Sequence, residues 1–395
     1  MKEAEPVRTL FVNSGILGLK TFASFVERVF VGHASGIQAT QTVLTQGLTL
    51  DERLIRRLVC ARLWPDGLAG LRNVDLLRFR AEWHSGVCAA RRLRRLETTG
   101  PRFDVLHFHR QAAAYASLDR MRRTPSIVSI DCTQRCVLDA AATPFERRTY
   151  APNVRRDGEV FRAARLIVAT SEWAAACIRR EYPDCTTDVV VQPDPIMLEA
   201  FDAGWVQRRH EAAGDPGYRP RVLFMGGDFP RKGGYELLRA WRNSALPQHA
   251  SLDLVTAWPL RPSELPPRVT VHPHVDAHSD AWKTLWRDAD IFVLPTKDEA
   301  FGLVYQEAGA AGLPAIGTAI NAVPEIIRDG VSGILVSPGD DTALVHALAR
   351  LIASPDLRRD MGSAARAHIE RTADSSRYRD ELAAAIHRLA SRRLR

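Results

Sequence analysis

Short apolar runs of strand length alternate with helical stretches along the whole chain, and this alternation restricts the fold more than any other feature. The runs are Thr9–Asn13, Val105–His107, Ser126–Ile130, Leu166–Thr170 and Val189–Gln192, then Val222–Gly226, Leu252–Thr256, Val269–His272, Ile291–Leu294, Ala315–Gly317 and Ile334–Val336. Most are continuously apolar, so they suit strands buried on both faces. Parallel sheets covered by helices bury strands in that way. A chain of 395 residues is long enough for two such domains. The stretch Gln192 to Pro195 ends the first series, and a loop-like segment from Gly214 to Pro220 precedes the second. The predicted architecture is α/β, with two doubly wound Rossmann-like domains, residues 1–196 and 197–374, facing across a cleft. Residues 375–395 form a helical stretch that could return to the first domain.

Composition narrows the class. Hydrophobic residues make up 46% and charged residues 25% of the chain, which excludes disordered, collagenous and disulfide-scaffold proteins. The uncharged run Ala308 to Pro324 is broken by glycines and prolines and is a poor candidate for a membrane span of roughly 20 apolar residues. No basic-then-apolar segment opens the sequence, so a cytoplasmic location is expected. Cys60, Cys88, Cys132, Cys136, Cys177 and Cys185 are expected to be reduced, structural thiols. Only Cys132 and Cys136 lie close, without a second ligand pair for zinc.

Two constellations carry chemistry. The first runs from Pro295 to Glu325, where a strand leads into a polar loop, then Gly302, then a helix beginning near Leu303. The unpaired N–H groups at such a helix start, here Leu303 and Val304, favour phosphate. Glu299 in the loop and Glu307 in the helix could each accept two hydroxyl hydrogen bonds, which fits a ligand with phosphates and vicinal hydroxyls. A nucleotide sugar is such a ligand. Either glutamate alone could equally be an acidic residue pairing with the helix dipole. The second constellation follows the strand Val222–Gly226. Gly226 and Gly227 permit close backbone approach, and Arg231 and Lys232 fit a pyrophosphate clamp. An Arg-Lys pair on a loop is also a common solvated feature.

Together these residues resemble the family 4 (group 1) retaining glycosyltransferases of GT-B fold. The resemblance lies in Glu299 and Glu307 with Phe301-Gly302-Leu303 between them, Gly312-Leu313-Pro314, Pro324-Glu325, and the segment Asp329 to Val336 followed by Pro338-Gly339-Asp340. It spans about residues 221–350. In the first half, Phe103 to His109 is similar to the family's Asp-Val-x-His-x-His strand end, and Ser171-Glu172 to its helix start, which is also an ordinary N-cap pattern. The resemblance implies a donor site of Gly226, Gly227, Arg231, Lys232, Glu299, Phe301, Gly302, Leu303, Val304 and Glu307. Glu307 would hold the ribose and Glu299 the sugar, with Arg231 and Lys232 on the leaving pyrophosphate. His109, Glu299, Arg231 and Lys232 would be catalytic, and Gly15, Gly18, Asp131 and Thr133 would lie on the acceptor side. Two places depart from the family pattern: the first glycine pair is spread over Gly15 to Gly18, and Asn321-Ala322 stands where a glycine pair is common.

The implied reaction is transfer of a sugar from a nucleoside diphosphate to a hydroxyl of a glycan or lipid-linked acceptor, with retention, in envelope or exopolysaccharide assembly. No metal or other cofactor is expected, because helix amides and two cations can neutralise the leaving group. A sugar-nucleotide epimerase or a phosphorylase would share the fold. A catalytically silent scaffold and a nucleic-acid binder are further alternatives, although no nucleic-acid motif accompanies the basic charge.

That charge is unevenly placed. Residues 1–196 hold 29 Lys and Arg against 21 Asp and Glu, whereas the remainder is balanced at 25 each. Arg91, Arg92, Arg94 and Arg95 belong to a helical stretch with apolar Leu76, Phe79, Trp83, Val87, Ala90 and Leu93. Arg56, Arg57 and Arg62 accompany Leu54, Ile55, Leu58 and Leu63. The pattern allows either a solvated arginine face or peripheral contact with the anionic inner face of the cytoplasmic membrane.

Overall fold

The computed structural model describes residues 5–15, 19–31, 36–61, 76–138, 143–215 and 217–393. The chain divides into two compact units, the first comprising Met1–Pro195 with Ser376–Arg395 and the second Ile196–Ser375.

Unit 1 is built on a six-stranded sheet with order β2-β1-β3-β4-β5-β6. Its strands are β1 (Val7–Asn13), β2 (Ile37–Val43), β3 (Val105–His109), β4 (Ser126–Ile130), β5 (Leu166–Ala169) and β6 (Val189–Val191). All neighbours pair in parallel. Every residue of β3, β4 and β5 is buried, which explains why these strands lack the polar alternation of a sheet with one solvated face. β2 has no counterpart in the sequence-based expectations. It is an edge strand of sequence IQATQTV, only partly buried, and its glutamines and threonines hide an apolar run. One face of the sheet packs on Phe22, Phe25, Val26 and Phe30, together with Tyr378, Leu382, Ile386 and Leu389 of the final helix, Ser375–Arg393. That helix therefore completes the core of unit 1.

Unit 2 carries a second parallel six-stranded sheet, β12-β11-β10-β7-β8-β9. Its members are β7 (Arg221–Met225), β8 (Ser251–Val255), β9 (Val269–His272), β10 (Ile291–Leu294), β11 (Ala315–Thr318) and β12 (Gly333–Val336). They coincide with the expected runs to within a residue at each end. Trp241, Trp286, Tyr305, Phe224 and Phe229 are its largest fully buried side chains. Tyr305 Oη donates to the Leu294 carbonyl at 2.6 Å, tying a helix to the end of β10.

The cysteine expectation is corrected at one pair. Cys136 and Cys177, 41 residues apart in sequence, form a disulfide, while Cys60, Cys88, Cys132 and Cys185 are free. The bond joins the turn after β4 to the helix Glu172–Glu181, a proximity that local spacing could not show.

Candidate functional site

In unit 2 the strand order reverses between β7 and β10. From β7 the chain proceeds outward through β8 and β9, then returns to place β10 on the other side of β7. Loops leaving the carboxyl ends of two such neighbours run to opposite faces, and ligands of α/β sheets bind at that point. Both sequence constellations sit there.

The two loops are stitched together. Lys297 N–H donates to the Arg231 carbonyl at 2.9 Å, and Thr296 Oγ1 donates to the same carbonyl at 3.3 Å. Gly233 has φ +77, and a Cβ there would lie 1.9 Å from the Pro295 carbonyl oxygen. Only glycine allows this approach. Gly226 backs onto Lys232, whereas a Cβ on Gly227 would meet nothing within 4 Å. Gly227 thus leaves open space beside the cations.

Arg231 is held by Asp228, Nε to Oδ2 at 3.1 Å, and by the Asp298 carbonyl, at 2.5 Å from Nη1. Lys232 Nζ forms an ion pair with Glu299. The two side chains are only 14% and 13% exposed, so each neutralises the other in a poorly solvated place. Asn321 has φ +47 and donates from Nδ2 to the Glu299 carbonyl at 3.0 Å. Asparagine tolerates the left-handed region better than most residues, so the departure from the glycine pair keeps the backbone shape and adds a contact.

The helix Leu303–Ala310 begins at Gly302, with φ +94 and no side-chain cap. A Cβ on Gly302 would lie 2.6 Å from the Tyr305 ring. The N–H groups of Leu303 and Val304 have no acceptor earlier in the helix and point off its positive end. The helix Gly234–Arg242 after β7 likewise starts without a side-chain cap. Glu307 is partly buried, and that burial alone pushes its pKa up to about 8. Hydroxyl groups that donate to the carboxylate would offset the cost. Phe301 is 3% exposed and fills the interior, so it shapes the loop from behind.

Unit 1 has its own reversal, between β1 and β3. Here the side chains fill the position themselves. His109 is the last residue of β3, fully buried, its ring stacked on Phe22 with centroids 3.7 Å apart. Its Nε2 lies 3.3 Å from Asp194 Oδ1, and Arg110 Nη2 reaches Asp194 Oδ2 and Asp131 Oδ2, each at 3.3 Å. Burial works against charge on Asp194, but Arg110 and His109 outweigh it and hold the carboxyl down at about 2. Burial, aided by Arg110, lowers the His109 pKa. Both side-chain atoms of Asn13, Ser14 Oγ, His109 Nδ1 and Arg110 Nη1 are buried without partners. Such orphaned groups are costly and could be satisfied by a polar ligand.

Of the four acceptor-side residues, Gly15 has φ +70, and a Cβ would come within 2.1 Å of Thr45 Oγ1. Packing therefore explains this glycine. Gly18 lies outside the described residues. Asp131 pairs with Arg110, and buried Thr133 is bonded to Glu181. Asp194, Arg110 and Asn13 escaped the sequence reading. Asp194 lies in a QPDP stretch that looks like a linker, and its role needs the segment after β6 to run back past β5 and β4 to the end of β3.

Comparison with known proteins agrees with this geometry. Residues 219–354 match the family described as glycosyl transferases group 1, and the candidate site of unit 2 lies within that matched stretch. The D-inositol 3-phosphate glycosyltransferase of Arthrobacter sp. (strain FB24) is 29% identical over 311 residues, covering 73% of this chain and 71% of that protein. The protein of the same description from Mycobacterium tuberculosis (strain ATCC 25177 / H37Ra) is 31% identical over 270 residues, 64% of this chain and 55% of that one. Among solved structures, sucrose-phosphate synthase from Thermosynechococcus elongatus superposes with a TM-score of 0.69 at 16% identity, covering 98% of this chain and 99% of that one. HepE from Anabaena, solved in complex with UDP and glucose, gives 0.65 at 15% identity, covering 96% and 99%. The fold is GT-B, with two Rossmann-like units.

Proposed function

We propose that the protein is a retaining glycosyltransferase that moves a sugar from a nucleoside diphosphate to a hydroxyl of a glycan or lipid-linked acceptor, in envelope or exopolysaccharide assembly. The observation that carries the proposal is the convergence at the ends of β7 and β10. An uncapped helix start, the cations Arg231 and Lys232 and the buried carboxyl Glu307 come together there from loops 67 residues apart. The similarity to inositol phosphate glycosyltransferases and to a structure solved with UDP supports the same reading.

In this mechanism Glu307 accepts the two ribose hydroxyls as a carboxylate. The diphosphate draws Lys232 away from Glu299, and the exchange frees Glu299 to accept hydroxyls of the donor sugar. Arg231, Lys232 and the N–H groups of Leu303 and Val304 then face the charge that develops on the leaving phosphate, which is the largest single catalytic contribution available here. No metal is required for that charge balance. In unit 1 the carboxylate of Asp194 keeps the His109 proton on Nε2, which leaves Nδ1 as an acceptor for a substrate hydroxyl. Asn13 and Arg110 have further unused hydrogen-bonding groups beside it.

A panel of UDP, GDP and ADP sugars tests the proposal through the melting temperature, because a ligand of the native state stabilises by mass action. One nucleotide series should raise it, and sugar transfer to an added acceptor should follow the same series. No shift with any donor would overturn the reading.

A further inference from the structure

The structure contains one surface feature that sugar transfer does not use. The helix Leu50–Val59 in unit 1 exposes Leu50, Leu54, Ile55 and Leu58 at 83%, 59%, 40% and 63%. The other large hydrophobics exposed among the described residues, such as Val31, Phe145, Val190 and Val331, are not clustered on one element in this way. Four on a single ten-residue helix form a patch of the kind that marks an interaction site.

The helix is well formed in spite of this exposure. Thr49 and Glu52 make a reciprocal capping box at its start, which stabilises the first turn. Its inner side faces the helix Leu77–Thr99: Glu52 is 7% exposed and lies 3.8 Å from Arg95, and Arg80 donates to the carbonyls of Val59 and Ala61. Leu50, Leu54 and Leu58 recur at four-residue steps and form one stripe. Arg53 and Arg57 fall one position before Leu54 and Leu58, beside the stripe, and both are exposed; Arg53 uses only Nε for the Leu48 carbonyl, at 3.2 Å. Arg91 and Arg95 on the neighbouring helix are exposed as well.

An apolar stripe edged by arginines on a short helix is complementary to a lipid surface with anionic head groups. The leucines enter the acyl boundary while the guanidinium groups stay among the phosphates. We propose that the helix Leu50–Val59 docks unit 1 on an anionic membrane surface, with Leu50, Leu54 and Leu58 inserted and Arg53 and Arg57 pairing with head groups. This moves the contact away from the arginine run that the sequence favoured. Arg92 is spent inside the unit, donating to the carbonyls of Val43 at 2.6 Å and Gln46 at 2.5 Å, and Arg94 bonds back to the Ala90 carbonyl at 3.3 Å. No described helix is long and apolar enough to cross a membrane, so the contact is peripheral. The proposal rests on the exposed face alone and does not depend on the reaction assigned to unit 2.

Sedimentation of the full chain with vesicles tests it, using phosphatidylglycerol mixed equally with phosphatidylcholine, against phosphatidylcholine alone. The protein should pellet with the mixed vesicles only. Leu54→Gln with Leu58→Gln should lower the partition coefficient at least tenfold and leave nucleotide-sugar binding unchanged. Arg53→Gln with Arg57→Gln should lower it several-fold and flatten its salt dependence. Equal binding by the leucine variant, or no binding to either vesicle, would overturn the proposal. So would a dimer in solution that the leucine variant dissolves, because the stripe would then be an interface between copies of this chain.

Discussion

The two units place charge at the same topological position and handle it in opposite ways. At the β1/β3 reversal of unit 1, Asp194, Arg110, Asp131 and His109 pair with one another, with Asp194 and His109 deeply buried and Asp131 partly exposed. At the β7/β10 reversal of unit 2, Glu307 has no cation to offset its burial, Lys232 is held only by Glu299, and Gly227 opens onto empty space. The first arrangement balances its charges internally and leaves only hydrogen-bonding groups, such as those of Asn13 and His109 Nδ1, open to a ligand. The second is incomplete without a ligand. Identical topology therefore does not imply identical use, and the partner of each charged group distinguishes the two cases.

The sharpest way to break this comparison is Asp194→Ala. It leaves the Arg110 guanidinium with Asp131 alone and His109 without its carboxylate partner, and loss of one partner from a buried pair costs about 3–5 kcal/mol. A large loss of stability is expected in chemical denaturation, with acidification having a related effect. Because Asp194 titrates lower in the folded than in the unfolded chain, its stabilisation is present above the ordinary carboxyl range and disappears as pH falls toward 2. Lys232→Ala, by contrast, should leave the chain folded, since truncating the lysine opens room for water beside Glu299. Its effect should fall on transferase activity, at least about tenfold at limiting donor, as should that of Glu307→Ala, given about 1.5–3 kcal/mol for a charged hydrogen bond.

Glu307→Gln sharpens the contrast between stability and function. The folded-state pKa of about 8 lies above the ordinary carboxyl value, so this group's contribution is lost as pH rises through 8. Removing the charge should raise the melting temperature at pH 9 relative to the parent chain, even as donor binding weakens. For the parent, donor affinity should increase as pH rises from 7 to 9, because the ribose needs the carboxylate. Calorimetry across that range checks the sign. Activity in excess chelator should be retained, and its loss with restoration by magnesium or manganese would contradict the charge balance proposed for unit 2. The smallest effect is expected of Gly227→Ala. Its Cβ meets nothing, so stability should stay within about 0.5 kcal/mol while donor affinity falls.

The sequence disclosed these regions unequally. Unit 2 was legible because its site is local: the loop after β7 and the loop after β10 each carry their residues within a short segment, and a helix start needs no distant partner. What stayed hidden was the Lys232–Glu299 pairing, which requires β7 and β10 to be neighbours. In unit 1 the informative contacts are all long-range. Asp194 meets His109 across 85 residues, Cys136 meets Cys177 across 41, and β2 is an edge strand whose polar residues disguise it. Arg92 illustrates the same limit, since two similar arginine pairs around Leu93 gave no sign that it binds the carbonyls of Val43 and Gln46.

The central claim is that the incomplete charges of unit 2 are completed by a nucleoside diphosphate. Titration calorimetry with UDP, GDP and ADP, on the parent chain and on Lys232→Ala and Glu307→Ala, tests it most directly. The account predicts that one of the three binds the parent in the absence of metal, and that each variant loses at least about tenfold in affinity. Equal affinity in parent and variants, or no binding of any of the three, would contradict it.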